Sequence, residues 1–331
     1  MAPLEVSVLL PVYNGEPHLA EQLDALSRQD FLGLWECILV DNGSTDQSLA
    51  NARSHAQDLP LIILEAPQAR GKPGAMNVAA ASARGTFLVF CDQDDVVSDN
   101  WLTQMVAALR SYPAIGGFAD EEALNGEGVA LWRPPITPNG LDVPFGYLPA
   151  PLGANAGVDA KLFRAVGGFD TQFTEAAEDT DLFWRVGRLG YPAQYAPTAV
   201  IAYRHRLEPR HLFQQYRRYG RAQAKLAAKY ADVFEPDPWW RTAVALSWCV
   251  LHAVDVARGG VRRVRYLRVL WHTFGQLEAS HRTGFRRVGS SSPKRRQSKP
   301  GDSAAISTRR RSGGPTKVRL SARRRDASGT P

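Results

Sequence analysis

Three carboxylates close an apolar run in the stretch Phe87-Leu88-Val89-Phe90-Cys91-Asp92-Gln93-Asp94-Asp95. The run reads as a buried strand, and burying so much negative charge without a partner is costly. The carboxylates are therefore expected at the strand's exit, where a cation can gather them. Asp92 and Asp94, two apart, project to the same side if the strand continues that far. An oxygen-only donor set at a strand end suits a hard divalent ion, Mg2+ or Mn2+, held together with a substrate's phosphates. The same residues also read, with no metal, as an acidic loop capping a helix that begins near Ser98.

A second acidic group, Glu178-Asp179-Thr180-Asp181, opens a helix expected to bury Leu182, Val186 and Leu189 and to end at Gly190. Acids in a first turn have an ordinary explanation, because they complement the helix dipole. Arg70 and Lys72 stand at the mouth of a helix expected from Pro73, where free N–H groups favour an anion. Asn77 follows one turn in. Asp41 ends an apolar run inside Asp-Asn-Gly-Ser, where its carboxylate can serve a base or ribose, or simply its own turn. His205 follows the strand-like run Ala199 to Tyr203, among arginines.

These residues need a frame. Val6 to Leu10, stopped by Pro11, reads as a first strand, followed by helical periodicity from His18 to Gln29 through Leu19, Leu23 and Leu26. Cys37 to Val40, Leu61 to Leu64 and Phe87 to Phe90 read as further strands, with helices through Ala56 and over Ala75 to Ala83 between them. The alternation predicts an α/β fold, a Rossmann-like mostly parallel sheet flanked by helices. Ligands of such sheets bind at the carboxyl ends of the strands. The polar clusters PVYNGE, DNGSTD and DQDD fall at those ends.

The ordered series PVYNGE, DNGSTD, ARGKPGAMN and DQDD resembles the nucleotide-sugar-binding half of family 2 glycosyltransferases of the A-type fold. The resemblance continues through Gly153-Ala154-Asn155, the run Val166-Gly167-Gly168-Phe169-Asp170 and Glu178-Asp179-Thr180-Asp181-Leu182-Phe183-Trp184-Arg185 to the region of His205. It implies a catalytic domain over 1–206, with a nucleotide-sugar half (1–112) and an acceptor half (113–206). It places Asp41 against a nucleobase with Pro11, Tyr13 and Glu16, and Arg70, Lys72 and Asn77 around the donor. It makes Asp92 and Asp94 a metal-binding pair, Asp94 as the direct ligand and Asp92 nearer the ribose or a metal-bound water, with His205 a third ligand or diphosphate contact. Asp179 becomes the general base toward an acceptor hydroxyl, with Glu178 beside it. Gly153, Asn155, Trp184 and Arg185 fall around the donor sugar and acceptor, Trp184 there being a packing residue or a sugar platform. The donor implied is a nucleoside-diphosphate sugar, UDP-linked most commonly. The acceptor is a glycan, a lipid-linked sugar or a small-molecule hydroxyl.

Two rival functions are weighed by the same residues. A dinucleotide oxidoreductase needs G-x-G-x-x-G after the first strand, and PVYNGE does not supply it. A non-catalytic binding protein holding nucleic acid or membrane through a basic tail requires that Asp179→Asn be silent.

Charge divides the chain. His281 to Pro331 carries 15 Lys/Arg against 2 Asp/Glu, net +13, which leaves 25 against 31, net −6, for the rest. A basic tail rich in Ser, Gly and Pro, expected to be disordered, follows an acidic body. Nucleic acid is disfavoured as its partner. Three scattered cysteines give no disulfide or zinc pattern, and the N-terminus has no basic leader, so a cytoplasmic protein is expected. Between body and tail, 207–280 reads as a helical extension with a helix from Glu208 to Tyr230, its Leu212, Tyr216, Tyr219 and Leu226 inward. An apolar stretch, Ala243 to Ala257, is too short to span a bilayer. It reads as a packed helix or, with Arg258, Arg262, Arg263 and Arg265, as one dipping into a membrane interface. Trp132, Phe145 and Tyr147 line an acceptor groove or pin a long loop.

Overall fold

Val6–Val12 (β1) divides its side chains between two cores, as a strand buried on both faces must. Val6, Val8, Leu10 and Val12 join one apolar cluster with Leu23 and Trp101, while Leu9 joins another with Ile38, Met76 and Phe90. The computed structural model describes residues 4–125, 136–137, 139–205, 209–286 and 288, with 209–212 in backbone only. Trp132 and the tail beyond 288 lie outside the described residues.

After β1 come α1 (Leu19–Ser27), β2 (Trp35–Asp41), α2 (Ser48–Ser54), β3 (Leu61–Glu65), α3 (Gly71–Ser82) and β4 (Phe87–Cys91). Then follow β5 (Val96–Val97), α4 (Trp101–Leu109), β6 (Ala114–Asp120), β7 (Asn155–Asp159), α5 (Ala160–Ala165), α6 (Glu178–Arg188) and β8 (Gln194–Ala202). The strands form one sheet in the order β3-β2-β1-β4-β7-β6-β8-β5. The first four are parallel; β7 runs antiparallel to both β4 and β6, β8 is parallel to β6, and β5 is antiparallel to β8. The parallel half and its helices thus match the expected Rossmann-like sheet flanked by helices, and β7 joins it to a mixed half.

β1 runs through Pro11 to Val12 instead of stopping before the proline. Its pairing with β4 ends at Leu9, so beyond that point only β2 flanks it and a missing donor is tolerated. Leu189, expected inward, is exposed because α6 ends at Arg188.

The extension consists of α7 (Pro209–Lys229), α8 (Trp239–Leu251), α9 (Asp255–Arg258) and α10 (Gly260–Thr283). The apolar stretch expected as one helix over 243–257 breaks after Leu251; α8 touches α10 where Trp248 stacks on Tyr266, and Cys249 is its one buried residue. Leu226, Tyr230 and Phe234 pack on Phe145, Phe173 and Trp184, so α7 shares a core with α6. Phe145 and Tyr147 belong to this aromatic cluster and pin their loop. α7 and α10 cross at Gly220 and Gly275, where a Cβ would stand 2.0 Å from the His272 and Arg217 carbonyl oxygens. A glycine at each contact is what lets the two backbones approach so closely.

Candidate active site at the carboxyl ends of the strands

β4 ends at Cys91, and Asp92, Asp94 and Asp95 follow in a loop whose carboxylates offer oxygens within 4.8 Å of one another. Two glutamines shape that loop. Gln22, fully buried on α1, donates to the Asp92 carbonyl (3.0 Å) and accepts from the Val97 N–H (3.1 Å). Gln93 clamps the backbone of Tyr13, accepting from its N–H at 2.8 Å and donating to its carbonyl at 3.1 Å. Arg204 closes the third side, its N–H donating to Asp95 Oδ1 (2.8 Å) and its Nε to the Asp94 carbonyl (2.9 Å). None of the three was singled out from sequence. Gln22 left a signal: it shares the apolar helical spacing of Leu19, Leu23 and Leu26, where a polar residue must have a partner.

Asp95 is 2% exposed, and its Oδ2 has no hydrogen-bond partner among the described residues. Burial, then the neighbouring Asp94 and Asp92, push its carboxyl well above the ordinary range. A buried orphaned carboxylate oxygen beside two more carboxylates fits a bound hard cation, which would satisfy all three. Asp92, Asp94 and Asp95 are the residues that would hold it.

Lys72 joins this loop to the second acidic motif. Its Nζ lies 2.5 Å from Asp92 Oδ1 and 3.9 Å from Glu178 Oε1. Burial opposes its charge, but Asp92 and Glu178 outweigh that and raise its pKa above the lysine range. Lys72 is inside α3, which starts at Gly71, not ahead of a helix beginning at Pro73. Arg70 precedes it, exposed and without an ion pair among the described residues.

Glu178 and Asp179 open α6 behind Ala177, whose left-handed backbone (φ 67°) turns the chain into the helix. Glu178 is buried, and burial together with the charge of Asp179 raises its pKa above the ordinary glutamate range. Asp179 Oδ2 accepts from the Gly153 N–H at 2.9 Å, and a Cβ on Gly153 would stand 3.0 Å from that oxygen. The small residue expected to admit a sugar thus admits the Asp179 carboxylate itself. Asp181 faces inward and is fully buried, held by Arg185 (2.8 Å), Lys229 (2.6 Å) and the Tyr230 hydroxyl (3.0 Å).

Along β1 and β2, Pro11 is half-buried and Tyr13 exposed at the loop tip. Glu16 Oε2 accepts from the Gln47 N–H at 3.2 Å. Asp41, at the end of β2, accepts from the Gly43 N–H (3.2 Å) and the Ser44 N–H (3.2 Å), so its carboxylate already serves its own turn. It keeps lone pairs for a further donor.

Five of the expected residues have their side chains engaged within the protein itself. Asn155 is fully buried between strands, donating to the Phe118 and Ala199 carbonyls and accepting from Trp101 Nε1. Asn77 clamps the backbone of Phe169 through both ends of its amide, each bond 2.8 Å. Trp184 packs without exposed surface and donates to the Leu148 carbonyl, so it is no sugar platform. Arg185 is spent on Asp181 and the Val166 carbonyl. His205 turns Nε2 to Glu121 Oε1 at 2.7 Å and is not part of the acidic cluster.

Known proteins resemble this chain in sequence and in fold. The profile of Glycosyl transferase family 2 matches residues 7–167, and that of Glycosyl transferase family group 2 matches 143–277. The poly(ribitol-phosphate) beta-N-acetylglucosaminyltransferase TarS of Staphylococcus aureus is 32% identical over 128 residues, 38% of this chain and 22% of TarS. The pre-mycofactocin glycosyltransferase of Mycobacterium tuberculosis is 27% identical over 248 residues, 70% of this chain and 49% of that protein. The chain therefore spans less than half the length of either relative. Among solved structures, the mannosyltransferase PcManGT of Pyrobaculum calidifontis superposes with a TM-score of 0.61 at 20% identity, covering 84% of this chain and 89% of that one. Its fold is thus shared from the parallel strands into the helical extension. The two profiles together run through residues 7–277, and they support a family 2 glycosyltransferase.

Proposed function

We propose that this protein transfers a sugar from a nucleoside-diphosphate sugar to an acceptor hydroxyl with inversion at the anomeric carbon. The observation that carries the reading is Lys72, whose ammonium ties the carboxylate loop after β4 to the Glu178–Asp179 pair at the start of α6. A donor diphosphate and an acceptor hydroxyl have to meet at such a junction. The acceptor oxygen attacks the anomeric carbon as the bond to the diphosphate breaks, and its proton passes to the Asp179 carboxylate. The Gly153 N–H orients that carboxylate. Glu178, raised in pKa by burial and by Asp179, limits the negative charge beside the base. Lys72 and Arg70 are the cations at hand for diphosphate oxygens, at the N-terminus of α3.

Asp92, Asp94 and Asp95 would hold Mg2+ or Mn2+, which would supply positive charge against a departing diphosphate. The structural neighbour PcManGT was solved in complex with GDP-Man and Mn2+, and TarS is an N-acetylglucosaminyltransferase. Those precedents support a nucleotide-sugar donor here, and a uridine nucleotide is the first to test. For the acceptor we favour a hydroxyl of a growing glycan or of a lipid-linked sugar.

Thermal melts with UDP, GDP and dTDP, each with Mn2+ and again with EDTA, test the donor site. One nucleotide should raise the melting temperature, and EDTA should abolish the shift. Asp179→Asn should keep that shift while lowering turnover about 10²–10⁴-fold. No shift with any nucleotide, or an active Asp179→Asn, would move the non-catalytic binding reading to the front.

A further inference from the structure

Helix α8 turns its apolar side outward. Trp239, Ala243, Leu246 and Val250 recur at helical spacing on one exposed stripe, and Trp240, Val244, Ser247 and Leu251 form the stripe beside it. Val254 and Val256 continue the exposed apolar surface past its end. Trp239 is 70% exposed, and Val250 and Leu251 are each 74% exposed. Contiguous exposed apolar surface of this kind marks an interaction site.

Charge selects the occupant. Between Trp239 and Thr283 the sequence has seven arginines against two carboxylates, Asp255 and Glu278. Arg258 pairs with Asp255. Arg262, Arg263 and Arg265, exposed on the first turns of α10, make no ion pair among the described residues. The chain's own residues 289–331 are a poor cover, being strongly basic and offering only Ile306, Val318 and Leu320 as large apolar side chains. A second copy would bring the same arginines against these. A bilayer with anionic headgroups supplies both complements, acyl chains for the stripes and phosphates for the arginines. The paired tryptophans at the start of α8 suit the headgroup level.

We propose that α8, with the start of α10, is an interfacial anchor that lies in the surface of an anionic membrane. It would lie on the bilayer and not cross it, since no helix among the described residues is long and apolar enough to span one. The proposal does not depend on the transfer reaction.

The test uses the full chain, so that the basic tail is present in both proteins compared. Native protein and the triple variant Val244→Ser, Val250→Ser, Leu251→Ser are sedimented at physiological salt with phosphatidylcholine vesicles, with and without phosphatidylglycerol. Equal melting temperatures establish that the exposed substitutions leave the fold intact. Native protein should pellet with the phosphatidylglycerol vesicles, and the variant should lose more than about tenfold in affinity. Bromine-labelled acyl chains should quench tryptophan fluorescence in the native protein and not in the variant. Equal pelleting of the two proteins overturns the proposal and assigns adsorption to the tail. Absence of pelleting overturns it as well, and a dimer abolished by the triple variant would then name a second copy as the occupant.

Discussion

Lys72 sets the electrostatics of the cleft at the scale of one residue. Its ammonium is shared by Asp92 and Glu178, so removing it leaves two carboxylates facing each other in a half-buried space. Lys72→Met should therefore cost about 1–3 kcal/mol in urea unfolding at neutral pH, with Lys72→Arg closer to native. Equal stability of the Met variant would mean that the carboxylates do not need the cation. The charge type of Lys72 was legible from its place after Gly71, and the carboxylates it would meet were not. Direction was the harder property throughout. Asn77, Asn155 and His205 have the residue types of ligand contacts, yet their amides and ring are taken by Phe169, by Phe118 and Ala199, and by Glu121. Those partners come from distant segments, and no local pattern announces them.

At the scale of elements, the strands were readable because β1, β2 and β4 are buried on both faces and keep unbroken apolar runs. Their carboxyl ends were readable because polar clusters begin there. The antiparallel insertion of β7 between β4 and β6 had no local signature, since its sequence Asn-Ala-Gly-Val-Asp is short and small. Asn155 opens that strand and joins three neighbours: it ties the Trp101 ring on α4 to the backbone of β6 and β8. Asn155→Leu would bury two carbonyls and an indole N–H without partners. The expected loss is about 3 kcal/mol or more, read from denaturant midpoints, with donor binding falling only as the protein unfolds. A stable Asn155→Leu protein that specifically loses the donor nucleotide would return this residue to the ligand set.

The whole molecule is bound together by packing that acid should loosen. His272 lies on α10, whose crossing with α7 runs through Gly220 against the His272 carbonyl. Burial, helped by the charge of Arg268, lowers the His272 pKa from 6.5 to about 4. Between those values the unfolded chain binds a proton that the folded chain refuses, so stability is full above pH 6.5 and falls as pH drops toward 4. The loss should reach about 2–3 kcal/mol, and His272→Gln should flatten this part of the pH–stability curve. A native curve as flat as the variant's would show that the ring takes up its proton in the folded state.

The pair between Lys229 and Asp181 bears on modularity. Asp181 belongs to the helix that carries the proposed base, and Lys229 and Tyr230 at the end of α7 are among its partners. The extension is therefore not a cassette to be trimmed or exchanged among relatives. A replacement has to bring its own cation and hydroxyl to the same spot, or it strands a buried charge two positions from Asp179. Any lineage that reshapes these C-terminal helices inherits that constraint along with the cleft.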